Sequence, residues 1–280
     1  MRFRTEYNPK PSPIRISHSD TILMLGSCFT DNIGSYLQRS GFEVLANPFG
    51  PLFNPVSIEH LIRGVPSLFV EYAGRIHCLD LPSRFQSDLS GKASLESIIQ
   101  KQYSDFEEFL HSSSIAIITL GSAFVYTHIN SGNIVANCHK LPASEFERSL
   151  LTLENCAEAV RKIVTLLKSK GVGTIIFTIS PVHHLDNGLE GNFLNKATLR
   201  LAVESVLDDD VLYFPAFEIV NDDLRDYRFY ASDMKHPSDV AVDYIFSKFE
   251  DCFFDRDTKE KAAAHFKVWQ RSQHIQLLNP

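Results

Sequence analysis

Residues 22–29 read Ile22-Leu23-Met24-Leu25-Gly26-Ser27-Cys28-Phe29. An apolar run without polar alternation predicts a strand buried on both faces, as in parallel sheets covered by helices. The run stops at small residues, and a helical pattern follows from about Asp31 to Ser40, closed by Gly41. Strand, tight turn and helix in that order put the Ser27 hydroxyl at the carboxyl edge of a sheet. Open α/β folds bind their ligands at that edge.

The same pattern recurs outward from this turn. Phe42-Glu43-Val44-Leu45 predicts a second strand, ending in the breaker-rich loop Asn47-Pro48-Phe49-Gly50-Pro51. Ile115 to Leu120, Thr174 to Ile179 and Val211 to Pro215 predict a third, fourth and fifth. Helical stretches fall at 57–63, at 154–169, where Val160, Ile163, Val164 and Leu167 recur at helical spacing, at 192–207 and at 239–250. Strands alternating with helices predict an α/β fold: a three-layer α/β/α sandwich on a mainly parallel five-stranded sheet. We expect a single domain over 1–280, with an extended amino-terminal arm (1–20), an insertion around 66–111 and a carboxyl-terminal helix around 256–271.

Composition narrows the function. Lys and Arg number 27 against 34 Asp and Glu, a net charge of −7 that argues against nucleic acid as a partner. No apolar stretch reaches the roughly 18 residues that span a bilayer. The amino terminus has no apolar segment of signal-peptide length, so the expectation is a cytoplasmic protein. The cysteines, at 28, 78, 138, 156 and 252, are odd in number and form no CxxC pair, which suggests reduced thiols.

Four polar clusters follow predicted strands: Ser27; Asn47 to Gly50; Gly121-Ser122; and Ser180-Pro181-Val182-His183-His184. In a parallel sheet all four lie on one edge. Far downstream, Asp233-Met234-Lys235-His236 supplies a carboxylate three residues before an imidazole. Serine is a weak nucleophile until a base takes its proton, and an acid can hold that base in the right tautomer. The plain alternatives are a turn serine and a solvated Asp/His pair. Cys28 admits a thiol nucleophile, although a buried Cys serves more simply as a small hydrophobe. His183-His184 with Asp186 raises a metal site, but adjacent residues on extended chain point apart and spacing places no third ligand. No metal and no cofactor is expected.

Together these segments resemble the GSCFA-domain family, within the wider SGNH (GDSL-like) hydrolases. The resemblance is carried by Gly26-Ser27-Cys28-Phe29; Asn47-Pro48-Phe49-Gly50-Pro51 with Asn54-Pro55; Asn137-Cys138-His139-Lys140; Ser180-Pro181-Val182; and Asp226-Tyr227-Arg228-Phe229-Tyr230 leading into Asp233 to Ser238. It runs from about residue 2 to 251. It implies a flavodoxin-like SGNH fold with Ser27 as nucleophile and His236 and Asp233 as base and acid. Two departures stand out. The family's fifth signature residue, Ala, is Thr30 here. The Gly-x-Asn block of SGNH enzymes reads Gly121-Ser122-Ala123, so the asparagine that helps the oxyanion hole is missing.

Other donors must then serve. Main-chain N–H groups of Ser27 or Cys28 and of Gly50 are the first candidates. Asn137 or His139 could replace the missing side chain, although that loop could equally be satisfying its own backbone. Asn47, Ser122 and His183 complete the expected substrate-binding set. The reading is a serine hydrolase that cleaves a small acyl ester, such as an O-acetyl group on a carbohydrate, through a Ser-His-Asp acyl-enzyme. The ester class comes from the resemblance. Two other classes stay open: an O-acyltransferase using the same triad, and a non-catalytic carbohydrate-binding or scaffold protein that retains the fold.

Overall fold

A computed structural model describes residues 4–278. The first three residues of the arm, and Asn279 and Pro280, lie outside the described residues. The central sheet comprises β1 (Thr21–Gly26), β2 (Glu43–Ala46), β3 (Ile115–Leu120), β4 (Thr174–Ile179) and β5 (Val211–Phe214). Every pairing in it is parallel. Read from the β2 edge the strands run 2-1-3-4-5, the flavodoxin-like order. In that order the crossovers reverse direction between β1 and β3, which opens the crevice where such folds hold ligands.

The apolar run of β1 explains the layers. Leu23 and Leu25 face α2 (Pro55–Arg63), α3 (Lys92–Ser112), α4 (Leu153–Ser169) and α5 (Gly188–Glu204) in one core. Ile22 and Met24 face α1 (Cys28–Arg39), α6 (Asp239–Phe253) and α7 (Arg256–Leu278) in the other. A strand covered on both faces has no polar face to alternate with, hence its unbroken hydrophobic sequence. The arm is tied to the end of α6, where the N–H groups of Ser12 and Ile16 donate to the Cys252 and Phe253 carbonyls at 2.8 and 2.9 Å.

Three features depart from expectation. Helix α1 begins at Cys28 because Ser27 itself is the N-cap, its Oγ accepting from Phe29 N–H at 3.3 Å. The region around 66–111 holds a three-stranded antiparallel sheet (Phe69–Tyr72, Arg75–Cys78, Gln86–Asp88) ahead of α3. A second small antiparallel sheet (Phe124–His128, Asn133–Val135, Phe146–Leu150) sits between β3 and α4 and has no counterpart in the sequence reading. Its strands are short and only partly buried, so their sequences carry little of the period-two signal.

Candidate active site

The Ser27 turn is built from three strand ends. Gly26 has φ +143°, and a Cβ placed on it would lie 2.1 Å from the Thr119 carbonyl oxygen of β3. Only glycine lets β1 approach β3 that closely. Ser27 N–H then donates to that same carbonyl at 3.1 Å. From the end of β2, Asn47 closes the other side. Its Oδ1 accepts from Gly26 N–H at 2.9 Å, and its Nδ2 donates to the Ser27 carbonyl at 3.3 Å and to Asp31 Oδ1 at 3.0 Å. Asn47 holds a left-handed conformation, φ +41°, to do so. Ser27 is fully buried. A Cβ built on Gly121 would come within 3.2 Å of both the Phe53 ring and the Ser27 Cβ, so Gly121 separates those two side chains at contact distance.

Asp233 and His236 sit in an irregular turn on the return of a narrow hairpin. Asp233 Oδ1 accepts from the N–H groups of Lys235 and His236 at 2.9 and 3.0 Å, and its Oδ2 lies 2.5 Å from His236 Nδ1. The His236 N–H first, then the Lys235 N–H and the ring, hold the Asp233 carboxyl well below the usual carboxylate range. Left-handed Met234, φ +57°, lets the turn close. Two main-chain bonds, Ala231 N–H to the His236 carbonyl at 2.7 Å and Ser238 N–H to the Phe229 carbonyl at 2.8 Å, zip the hairpin. His183 fastens it to the end of β4: its N–H donates to the Lys235 carbonyl at 3.1 Å, and its Nε2 pairs with Tyr230 OH at 3.0 Å. The Asp233 and His236 side chains remain about half exposed, 46% and 49%. Ser27 Oγ makes no hydrogen bond to the His236 ring.

The remaining candidates are largely occupied. Gly50 N–H donates to the Asn47 carbonyl at 2.7 Å, and both amide groups of Asn47 serve the Ser27 turn. Ser122 Oγ accepts from Phe124 N–H at 2.9 Å and reaches the Phe124 carbonyl at 3.1 Å. Asn137 Oδ1 accepts from His139 N–H at 2.8 Å, closing an Asx turn. His139 Nε2 lies 2.8 Å from the Leu81 carbonyl, which ties that loop to the 78–82 turn packed against Gly50. The Cys28 N–H, at the first position of α1, has no acceptor in another residue among those described. It is the main-chain donor nearest Ser27 left for an oxyanion. Burial, then Asp31, push the Cys28 thiol up, against nucleophilic use. Among the described residues no cluster of His, Cys, Asp or Glu could hold a metal ion.

The pattern of the GSCFA family matches residues 21–249. This chain belongs to the GSCFA family. No curated protein matches it. Among solved structures, a carbohydrate esterase family 3 enzyme from Talaromyces cellulolyticus is similar at a TM-score of 0.39 and 5% identity. That similarity covers 82% of this chain and 94% of the other.

The sequence reading passed over two residues that bind this GSCFA site together from below. Lys196, in α5, is 3% exposed, and its Nζ donates to the Ser180 carbonyl at 2.7 Å and the Gly121 carbonyl at 3.2 Å. Asn195, fully buried beside it, accepts from Ala123 N–H at 2.5 Å and donates to the Gly121 carbonyl at 3.3 Å. A signal was present: Asn195-Lys196 interrupts the inward face of a helix. Thr30, standing where the family has Ala, is wholly buried and its hydroxyl has no partner among the described residues. His184 packs edge-on against Phe53 at 5.9 Å, and burial, then the Lys196 charge, lower its ring to about 4. A cleft of about 420 Å³ is lined by residues such as His60, Arg63 and Asp80 and contains none of the candidates. A smaller one, about 270 Å³, takes His183 and Tyr230 into its wall, with Asp222, Arg225, Asp226 and Tyr227. No helix of the described residues is long and apolar enough to cross a membrane.

Proposed function

We propose that this protein is a serine hydrolase that cleaves a small acyl ester, with Ser27 as nucleophile, His236 as general base and Asp233 as the acid that orients it. The observation that carries the reading is the 2.5 Å Asp233–His236 pair, on a hairpin fastened by His183 to the sheet edge that bears the Ser27 turn. His236 Nδ1 faces the carboxylate, which leaves Nε2 to take the Ser27 proton. Ser27 attacks the ester carbonyl, the oxyanion forms against the Cys28 N–H at the start of α1, and the alcohol leaves. Water activated by His236 then releases the acid. Because Ser27 is buried, the site must open for an ester to reach it and for His236 to approach.

The cleft beside the hairpin favours a carbohydrate as the alcohol. Tyr227, 67% exposed, and Tyr230 offer aromatic faces at a ring separation of 5.8 Å, next to Asp222, Arg225 and Asp226. Aromatic faces suit the apolar face of a pyranose, and charged planar groups suit its hydroxyls.

A second reading, a non-catalytic carbohydrate-binding protein, is favoured by the buried Ser27 and the missing bond to His236. An acyltransferase would use the same groups. Hydrolysis of a short-chain aryl acetate by wild type, Ser27→Ala and His236→Ala separates them. Activity abolished in both variants is expected. Activity that survives Ser27→Ala removes the mechanism. No turnover with aryl acetates or acetylated sugars, alongside tight sugar binding, selects the binding protein.

A further inference from the structure

Lys196 holds a charge in a place where cores rarely have one. Its ammonium is bonded to two main-chain carbonyls and, among the described residues, to no carboxylate. Those carbonyls belong to Gly121 and Ser180, the first residues past β3 and β4. Taking an ammonium out of water is costly, and a methionine of similar volume would fill the space without that penalty. Packing alone therefore does not account for the residue.

Its neighbours suggest what does. The Gly121 that Lys196 holds lies against the Ser27 side chain so closely that a Cβ on it would come within 3.2 Å of the Ser27 Cβ. The lysine charge also acts on the Cys28 thiol, next in sequence to Ser27, and on the rings of His183 and His184. The Gly121-Ser122-Ala123 segment lacks an asparagine to serve an oxyanion from the rim. We propose that Lys196 is a positioning residue of the Ser27 site: its ammonium pins the Gly121 and Ser180 strand ends and supplies, from inside the core, positive potential at the Ser27–Cys28 turn. Fixed charge aimed at a developing oxyanion in a water-poor site accelerates acyl transfer without reorganisation at the moment of reaction.

Among the described residues, the titratable groups that feel the Lys196 charge are Cys28 from α1 and His183 and His184 from the segment after β4. Burial raises the thiol and lowers both rings, so these three are neutral at neutral pH. Burial lowers Lys196 to about 7, so the charge at the turn fades as pH rises past neutrality.

The consequence for rate rests on the hydrolase reading; the charge itself can be read without substrate. The experiment compares wild type with Lys196→Met and Lys196→Gln. It measures kcat and KM for an aryl acetate from pH 5.5 to 9, the melting temperature, and iodoacetamide labelling of Cys28 at pH 6.5 by peptide mass spectrometry. Partly exposed Cys138 is the internal reference. Both variants are expected to lose kcat by about 10- to 100-fold below neutrality at unchanged KM, less than the loss of a direct oxyanion donor at its worst. Their alkaline decline in kcat disappears, their melting temperatures hold, and Cys28 labelling slows by about threefold or more while Cys138 does not change.

Wild-type kcat in Lys196→Gln, which can keep the hydrogen bonds but not the charge, overturns the role given to the charge. So does activity that falls only in step with melting temperature. Unchanged Cys28 labelling in both variants removes the charge from the turn. If Lys196→Met fails to fold, Lys196→Gln and the wild-type profile decide, and a kcat flat between pH 6 and 9 counts against it. A chain that hydrolyses nothing but still shows the Cys28 effect loses the hydrolase reading while keeping the charged turn.

Discussion

The two halves of the candidate site are built in opposite ways. The Ser27 turn is part of the core: the Gly26 and Ser27 N–H groups bond to Asn47 and to the Thr119 carbonyl at neighbouring strand ends, and Ser27 has no exposed surface. The Asp233–His236 hairpin is an exposed ribbon held by a few main-chain bonds and by His183, with both functional side chains half in water. On the proposed reading, a nucleophile in a rigid layer and a base on a surface ribbon would divide the work: the sheet would set where attack occurs, and the ribbon would move to meet it. Substitutions in the turn should therefore disturb stability and activity together, whereas substitutions in the hairpin should disturb activity alone.

The largest effect expected is on rate. Ser27→Ala and His236→Ala should each lower kcat for an aryl ester by about 10⁴-fold or more. Their melting temperatures should differ: His236→Ala unchanged, Ser27→Ala lower by about 2–4 °C from the lost helix cap. Equal melting temperatures would erase the contrast. Next comes Gly26→Ala, whose Cβ meets the Thr119 carbonyl at a backbone angle that side chains avoid. A loss above about 4 kcal/mol is expected in denaturant titration, with largely insoluble protein the extreme case.

Asn47→Ala strips the turn of its amide and should lose about 2–3 kcal/mol, with activity falling in parallel. A variant that melts normally would mean that Asn47 serves substrate after all. Thr30→Val keeps the shape and removes an unpartnered buried hydroxyl, so it should gain about 1 kcal/mol in the same titration.

The smallest effect is on pH dependence. The Asp233 carboxyl is held low by the hairpin's own N–H groups, so its contribution is present above the unfolded carboxylate value of about 3.9 and is lost as pH falls through the lower folded value. The Asp233 side-chain carboxyl resonance should show its protonation shift only below about pH 4. Movement centred above pH 5 would show that the carboxylate is not held this way.

The central strands were legible because burial on both faces writes an unbroken apolar run, and α4 because Val160, Ile163 and Leu167 repeat at helical spacing. Helix α5 began earlier than its pattern suggested. Its first turn carries exposed Leu189 and buried Gly191, the reverse of an amphipathic face. Within the site, Asp233 and His236 could be paired on paper because three residues separate them. Asn47 was expected to meet substrate, yet its amide is consumed by Gly26, Ser27 and Asp31.

By itself, then, the sequence determined the elements whose cause is local: the strands, the glycine turn before Ser27, and the acid–base spacing at 233–236. Only the tertiary structure decided what those elements meet. Lys196 lies 75 residues from the Gly121 carbonyl it holds, and His183 47 residues from the Tyr230 hydroxyl it pairs with. Period and propensity describe how a segment folds against an averaged surface. Which carbonyl an ammonium finds in the core depends on strand order and register, and these arise only when the whole sheet assembles.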